Sequence, residues 1–202
     1  HARMDLFQAY RNYSLDERKA ESGRERISRA QLELLGIHLD NQIALRNILS
    51  ADQFAAFRDK MKGRMHGPES GVRPPGQESL LDNIMSKESI RNLGLNSDQT
   101  KRLEQLWRKI PQKAPIFQKL RRDSESLAGL YSNYGLDVAA ARRLIDAIHQ
   151  DQDQLSDISH ARQQVIRTVL TSDQFDLLKQ EIAKKIKERH LGKGQWRRRG
   201  GP

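Results

Sequence analysis

Apolar residues recur along much of the chain at the three- and four-residue steps that are typical of an amphipathic helix. The clearest row lies in the C-terminal half, at Leu144, Ile148, Leu155, Ile158, Val165 and Val169. A second helical row lies in the N-terminal half, at Ile27, Ala30, Leu34, Ile37, Ala44 and Ile48. We expect both rows to be buried seams of long helices that pack against antiparallel neighbours.

The two rows belong to a repeated segment. A shift of 121 residues aligns residues 6–54 with residues 127–175 without a gap and gives 17 identities. We call these segments the first copy and the second copy, and we call residues at aligned positions counterparts. Identical counterparts include Tyr10/Tyr131, Tyr13/Tyr134, Leu34/Leu155, Ile37/Ile158, Arg46/Arg167 and Gln53/Gln174. The repeat predicts that one helical unit occurs twice.

The second copy has additional sequence before it. Residues 97–110 predict a short helix that Pro111 stops, and residues 116–132 predict another helix after Pro115. The first copy has no equivalent of residues 97–110, so its module is incomplete.

The fold expected from these patterns is all-α, with tandem long antiparallel helical hairpins. Residues 79–93 also have helical spacing. The predicted organisation is a first helical module, a Pro/Gly-rich linker, a second complete module and a flexible basic tail, at residues 1–65, 66–78, 79–191 and 192–202.

Composition agrees with narrow seams rather than a thick core. Hydrophobic residues make up 36% of the chain, aromatic residues 5% and charged residues 31%. The sequence has no cysteine, which excludes disulfides, thiol catalysis and Cys-ligated zinc. No apolar run is long enough for a transmembrane helix. The chain starts at His1 in polar sequence, and we expect that any targeting segment has been removed or left out.

The net charge of +10 is unevenly distributed. Residues 184–202 contain eight Lys or Arg and one Glu, so this end carries +7 and the rest of the chain +3. Trp196 beside Arg197 could stack on bases and contact phosphates, and a basic tail could also touch anionic lipid. The interpretation we favour is a solubilising tail that binds neither nucleic acid nor a membrane surface.

One short motif occurs three times: a leucine, a helix-capping residue, and an Asp-Gln pair two residues further on. Its members are Leu49, Ser50, Asp52 and Gln53; Leu95, Asn96, Asp98 and Gln99; and Leu170, Thr171, Asp173 and Gln174. Ser, Asn and Thr are good N-caps, and a Gln three residues later can complete a capping box. The Asp complements the helix dipole. Each motif therefore predicts a helix that starts after a sharp change of direction.

A Leu-Thr-x-x-Gln motif near the start and near the end of a small helical unit resembles the Spy/CpxP family of periplasmic proteins. The resemblance covers residues 90–190 as a full unit and residues 4–65 as a partial one. It implies a periplasmic, ATP-independent chaperone or envelope-stress protein whose partners are unfolded or envelope proteins. The family forms cradle-shaped antiparallel dimers, so two fused copies could form an intrachain pseudo-dimer in place of a homodimer. Asn96 and Ser50 stand where the family has Thr.

No catalytic constellation is visible, because the sequence has no phosphate-binding glycine loop, nucleophile elbow or HExxH motif. We therefore expect neither an enzyme nor a cofactor. Relatives of the CnrX and ZraP type bind metals, so a metal-binding or metal-sensing protein is the alternative function. His149 and Asp153, four residues apart on a predicted helix, are the candidate transition-metal ligands. Scattered surface histidines are the simpler interpretation.

A client-binding surface needs apolar patches beside positive charge rather than catalytic groups. Residues 108–122 mix the two kinds of side chain. The candidate client-binding residues are Arg108, Lys113, Ile116, Phe117, Lys119, Leu120, Arg121 and Arg122. In the alternative interpretation, the apolar members of this stretch face the long helix.

Overall fold

The structure is a computed structural model that describes residues 2–65 and 91–198. These residues form helices joined by short turns, and none of them lies in a strand. The helices are α1 (Ala2–Arg11), α2 (Glu17–Ile48), α3 (Ala51–Met65), α4 (Ser97–Arg108), α5 (Lys113–Ser132), α6 (Val138–Val169) and α7 (Ser172–Arg198). The prediction of an all-α fold is confirmed for this part of the chain.

The two longest helices occupy the repeated segment. Helices α2 and α6 are each 32 residues long and start and end at counterpart positions. Asp137 caps α6, because its carboxylate accepts a hydrogen bond from the Ala140 backbone N–H at 2.8 Å. Each long helix ends one residue before a motif leucine, and the capping residue then starts α3 or α7.

Two predicted boundaries differ from the structure. Helix α5 starts at Lys113 instead of residue 116, because Pro115 lies in the first turn, where its missing N–H breaks no helical hydrogen bond. Helix α7 continues to Arg198, past residue 192, where the predicted tail begins. Gly192 and Gly194 weaken a helix but do not break it. The predicted linker and residues 79–90 lie outside the described residues.

The chain forms two compact units, and both copies contribute to each. Within the described residues, the first unit comprises residues 2–6, 17–65 and 112–159, and the second comprises residues 7–16, 91–111 and 160–198. These units do not follow the sequential modules expected at residues 1–65 and 79–191. The reason is that the turn before each long helix packs against the helix end of the other copy, as described below.

The core of the first unit is built by three helices. It contains Leu39 of α2, Leu120 and Leu127 of α5, and Ala141, Ile145 and Ile148 of α6. Helix α1 approaches α2 closely at Gly23, where an added Cβ would lie 3.2 Å from the Cβ of Leu6. Glycine at this position therefore sets the closeness of the two helices.

The core of the second unit is built around α4. Leu103 of α4 is fully buried against residues of α6, α7 and the turn between them, with partly buried Leu106 and Trp107 beside it. The buried residues of this cluster are Leu93, Leu103, Ile166, Val169, Leu170, Phe175 and Leu178. Gly94 has a φ of +61°, so the turn that leads into α4 requires glycine.

The predicted seam of the second copy is buried as expected. Ile148, Ile158 and Val169 are buried, and Leu144, Leu155 and Val165 are partly buried. The prediction for the first copy is wrong at several positions, since Leu34 and Ile37 are 57% and 48% exposed and Ile48 is 77% exposed. Ala30 and Ala44 are exposed as well.

Helix α2 buries a different face. Leu35, Leu39 and Ile43, spaced four residues apart, line the first unit's core or pack against it. Their counterparts in α6 are polar: Ser156, His160 and Gln164. Helix α2 therefore has two apolar rows, and the one that is absent from α6 is the one it buries.

Candidate functional site

An arginine near the end of α2 organises the first unit's helix turn. The Arg46 guanidinium donates hydrogen bonds to the backbone carbonyls of Tyr131 at 2.7 Å, Asn133 at 3.0 Å and Tyr134 at 2.9 Å. It also lies 4.5 Å from the centroid of the Phe54 ring. Partial burial lowers the pKa of Arg46 from its ordinary value. One charged side chain thus bonds three carbonyls at the end of α5 and in the turn that follows.

The second unit contains the same arrangement. The Arg167 guanidinium donates to the carbonyls of Tyr10 at 2.7 Å and Asn12 at 3.1 Å, and lies 4.6 Å from the centroid of Phe175. Its Nη1 atom donates to the carbonyl of Gln163, as Nη1 of Arg46 donates to the carbonyl of Gln42. These partners of Arg167 are the counterparts of partners of Arg46.

Tyrosines complete both clusters. The Tyr134 hydroxyl donates to the carbonyl of Leu49 at 3.0 Å, and the Tyr13 hydroxyl donates to the carbonyl of Leu170 at 2.7 Å. Each ring also packs edge-on against a phenylalanine: Tyr134 on Phe54 and Tyr13 on Phe175. In both clusters one copy supplies the turn and the other supplies the helix end. Such reciprocal use of equivalent residues is the pattern of an isologous pair.

Sequence reasoning found these identities but assigned them no role. The available signal was that Tyr10, Tyr13, Asn12 and Arg46 are all identical to their counterparts although they are not seam residues. Polar and aromatic identity outside the seam indicates a shared polar contact.

All three motifs form the capping box. The Asn96 side chain accepts from the Gln99 backbone N–H at 2.8 Å, and the Gln99 side chain accepts from the Asn96 N–H at 3.2 Å. Ser50 with Gln53 and Thr171 with Gln174 make the same two bonds. Asp52, Asp98 and Asp173 lie exposed in the first helical turns, whereas Leu170 is buried and Leu49 and Leu95 are partly buried.

Two of the motifs meet in the second unit. The side-chain amides of Gln99 and Gln174 donate to each other, at 2.8 Å and 3.2 Å. The Gln99 amide also donates to the carbonyl of Val169 at 3.0 Å, and the Gln174 amide donates to that of Gly94 at 3.2 Å. These bonds hold the start of α4 to the start of α7. Within the described residues, no second glutamine pairs in this way with Gln53.

The predicted client-binding residues are divided between the two units. Arg108 belongs to the second unit and the others to the first. The placement of Leu120 on the client-binding surface is corrected, because this residue is 7% exposed and belongs to the first unit's core. Of the rest, Arg122 is exposed, Phe117 is 36% exposed and Ile116 is partly exposed.

Two basic residues of this stretch, Arg121 and Lys113, are ion-paired or partly buried. The side chain of Arg121 forms an ion pair with Glu125 at 2.8 Å, one turn along the helix. Burial lowers the pKa of Lys113. Arg122, which follows Arg121 on α5, is exposed.

Lys119 pairs with a buried carboxylate. Asp151 of α6 is 2% exposed, and its Oδ1 atom accepts a hydrogen bond from the Lys119 ammonium at 2.8 Å. This hydrogen bond is the main reason that the pKa of Lys119 is raised. The pair occurs once, because the counterpart of Asp151 is the exposed Ala30. Lys119 therefore links α5 to α6 through a buried carboxylate.

The candidate metal ligands lie near each other but form a sparse site. His149 Nε2 is 3.4 Å from a carboxylate oxygen of Asp153 and 3.4 Å from the hydroxyl of Ser28, its own counterpart. A structural zinc needs four protein ligands and a catalytic zinc three. The described residues contain no group of three or more His, Cys, Asp or Glu side chains that could hold a metal ion.

The most exposed apolar surface on a long helix is the first-copy seam of α2. Leu34, Ile37 and Ile48 are exposed there, with Ala30 and Ala44 at intermediate steps of the same row. We call Ala30, Leu34 and Ile37 the open row.

No described helix is both long and apolar enough to cross a membrane. Comparison of the chain with protein families, with curated proteins and with solved structures finds no match.

Proposed function

We propose that this protein holds unfolded or partly folded proteins without ATP, by binding their apolar segments on the open row. The observation that carries the proposal is the contrast between identical counterparts. Leu34 and Ile37 are 57% and 48% exposed, whereas Ile158 is 4% exposed and Leu155 is partly buried. A helix that leaves a continuous apolar row in water has a surface suited to binding apolar chains.

Charge supports the same proposal. The chain carries a net charge of +10, so it attracts acidic segments of unfolded chains over a distance of about one Debye length, roughly 8 Å at physiological ionic strength. Phe117 and Arg122 on α5 add one exposed apolar side chain and one exposed basic side chain in the same unit. We expect weak, broad and salt-sensitive binding, because exposed charges are screened and a shallow row buries little area.

We further propose that the chain is a duplicated helical hairpin that acts as an intrachain pseudo-dimer. The reciprocal Arg46 and Arg167 clusters support this, since each copy supplies to the other what it receives. The motif's resemblance to the Spy/CpxP family supports both the chaperone function and a periplasmic location. The metal-sensing alternative is less well supported, because His149 and Asp153 are too few to form a metal site.

Suppression of client aggregation tests this function. A chemically denatured client is diluted into buffer without nucleotide, and light scattering is followed with near-stoichiometric protein. We expect suppression by the wild-type chain and loss of most of it in the double variant Leu34→Ser, Ile37→Ser. Leu32→Ser is the matched control, because Leu32 is 38% exposed on another face of α2. No suppression across several unrelated clients, or equal loss in the control, would reject the proposal.

A further inference from the structure

The end of α2 and the start of α3 present a second apolar surface in the first unit. We call Ala44, Leu45, Ile48 and Phe57 the open end. Ile48 is 77% exposed, Phe57 is 38% exposed, Ala44 is exposed and Leu45 is partly buried. A lone exposed apolar side chain needs no explanation, but three exposed residues and a partly buried one at neighbouring positions of two joined helices form a patch.

The counterparts of the open end are covered in the second unit. They are Val165, Ile166 and Val169, together with Leu178, which the same shift of 121 residues aligns with Phe57. All four belong to or pack against the core cluster that Leu103 of α4 completes. Val169, Ile166 and Leu178 are 7%, 0% and 4% exposed. Helix α4 thus shows which kind of element covers this surface when it is occupied: a short amphipathic helix whose apolar side carries Leu103, Leu106 and Trp107.

Hydrogen bonds hold α4 in place. The groups of α6 and α7 that bond to Gln99 have counterparts at the open end. In the second unit Gln99 of α4 donates to the carbonyl of Val169 and pairs with the amide of Gln174. The counterpart groups are the carbonyl of Ile48 and the amide of Gln53, and Gln53 is exposed. A helix that starts with a capping-box glutamine could therefore make the same bonds there.

We propose that the open end binds an amphipathic helix of a partner protein that has the α4 pattern. That pattern is a polar N-cap, a glutamine three residues later, and leucines seven and ten residues after the cap, as in Asn96, Gln99, Leu103 and Leu106. In the second unit Arg162 stacks on Trp107 at 5.0 Å, but its counterpart is Asn41. The partner helix therefore needs the two leucines and the glutamine more than it needs an aromatic residue.

This site is separate from the open row, which is the basis of the proposed function. The open row holds unfolded segments of any sequence, whereas the open end recognises one folded pattern. Different variants test the two surfaces. Loss of helix binding with intact client holding, or the reverse, would show which of the two ideas fails.

A peptide of residues 95–110 of this chain is the defined probe, because it contains the whole α4 pattern. Fluorescence anisotropy of the labelled peptide is measured against the full-length wild-type chain. We expect saturable one-to-one binding that Ile48→Asp weakens about tenfold, equivalent to about 1.4 kcal/mol. Leu32→Asp is the matched control and should leave affinity unchanged. A peptide with Leu103→Asp should not bind.

Three outcomes overturn the proposal. The first is no saturable binding to the wild-type chain, and the second is binding that Ile48→Asp leaves unchanged. The third is a change of molar mass measured by light scattering. If the wild-type chain dimerises and Ile48→Asp prevents dimerisation, the occupant is a second copy and not a partner's helix. Both charged variants replace exposed side chains, and circular dichroism of each verifies that it is folded.

Discussion

The same stretch of the repeated sequence is buried in the second unit and exposed in the first. In the second unit, α4 covers the junction of α6 and α7, and Val169 is 7% exposed. In the first unit, the counterpart junction of α2 and α3 is uncovered within the described residues, and Ile48 is 77% exposed. The comparison teaches that an apolar position in a repeat need not be a core position, because burial depends on whether a covering element is present.

The polar clusters of the two units hardly differ. Each central arginine donates a hydrogen bond of 2.7 Å to the carbonyl of a repeated tyrosine, Arg46 to Tyr131 and Arg167 to Tyr10. Hydrogen bonds depend on geometry more strictly than apolar contacts do, so the residues that make them are less free to change. The apolar seam can lose its cover in one copy while the turn contacts stay the same.

The largest expected contrast is between the covered and the uncovered junction. Leu103→Ala should lower the free energy of unfolding of the second unit by about 3 kcal/mol, because it opens a cavity at a fully buried site. Ile48→Ala should change stability by less than about 0.5 kcal/mol, since its side chain is in water. Urea unfolding measures both. Comparable losses would mean that the first-copy junction is covered after all.

The two arginine clusters should respond alike. Arg46→Lys and Arg167→Lys should each cost about 2 kcal/mol, because one ammonium group cannot bond several carbonyls arranged for a planar guanidinium. Arg121→Lys is the control, since Arg121 makes an exposed ion pair that contributes little. If only one of the two cluster variants were destabilised, the clusters would not be equivalent in energy.

The Lys119 and Asp151 pair belongs to one copy only. Lys119→Met should cost about 1 kcal/mol, a value reduced for solvent screening because the lysine side chain is 46% exposed. The exposed Lys101 serves as control, and Lys101→Met should have no measurable effect. Thermal melts report both changes.

The pH dependence of this pair has a defined sign. The hydrogen bond to Asp151 raises the pKa of Lys119 above the ordinary 10.5. The stabilisation is therefore complete below pH 10.5 and is lost as the pH rises through the pKa of the folded state. The stability difference between wild type and Lys119→Met should shrink there. A constant difference up to pH 12 would argue against the ion pair.

The smallest contrast concerns the motif glutamines. Gln99→Ala should cost about 1 kcal/mol, because it removes a capping bond and the amide pair with Gln174. Gln53→Ala removes the capping bond alone and should cost about 0.5 kcal/mol. Thr171→Ala, which removes an N-cap, provides a reference of about 1 kcal/mol. Equal losses for the two glutamines would show that the amide pair adds nothing.

Much of the fold could be predicted from the sequence because it is local. Helical periodicity and caps gave the long helices, and α2 and α6 indeed end just before their motif leucines. Which face each helix buries could not be predicted, since α2 has two apolar rows and only tertiary packing chooses Leu39 over Leu34. The exchange of turns also depends on contacts between distant residues such as Tyr10 and Arg167.

The candidate site was less predictable for the same reason. The mixed stretch on α5 was visible, but the burial of Leu120 and the pairing of Lys119 with Asp151 depend on how α5 meets α6. The open row was mistaken for core because its counterpart is core. A row of leucines is equally suited to packing and to binding, and spacing does not distinguish the two.

Site-specific photo-crosslinking tests the central claim most directly. A photoreactive residue is placed at position 37 on the open row, or at position 32, which is 38% exposed on another face of α2. Each protein is mixed with a chemically denatured client in the absence of nucleotide and irradiated. The account predicts efficient capture of the client from position 37 and little from position 32. Equal capture from both positions, or none from position 37, would contradict it.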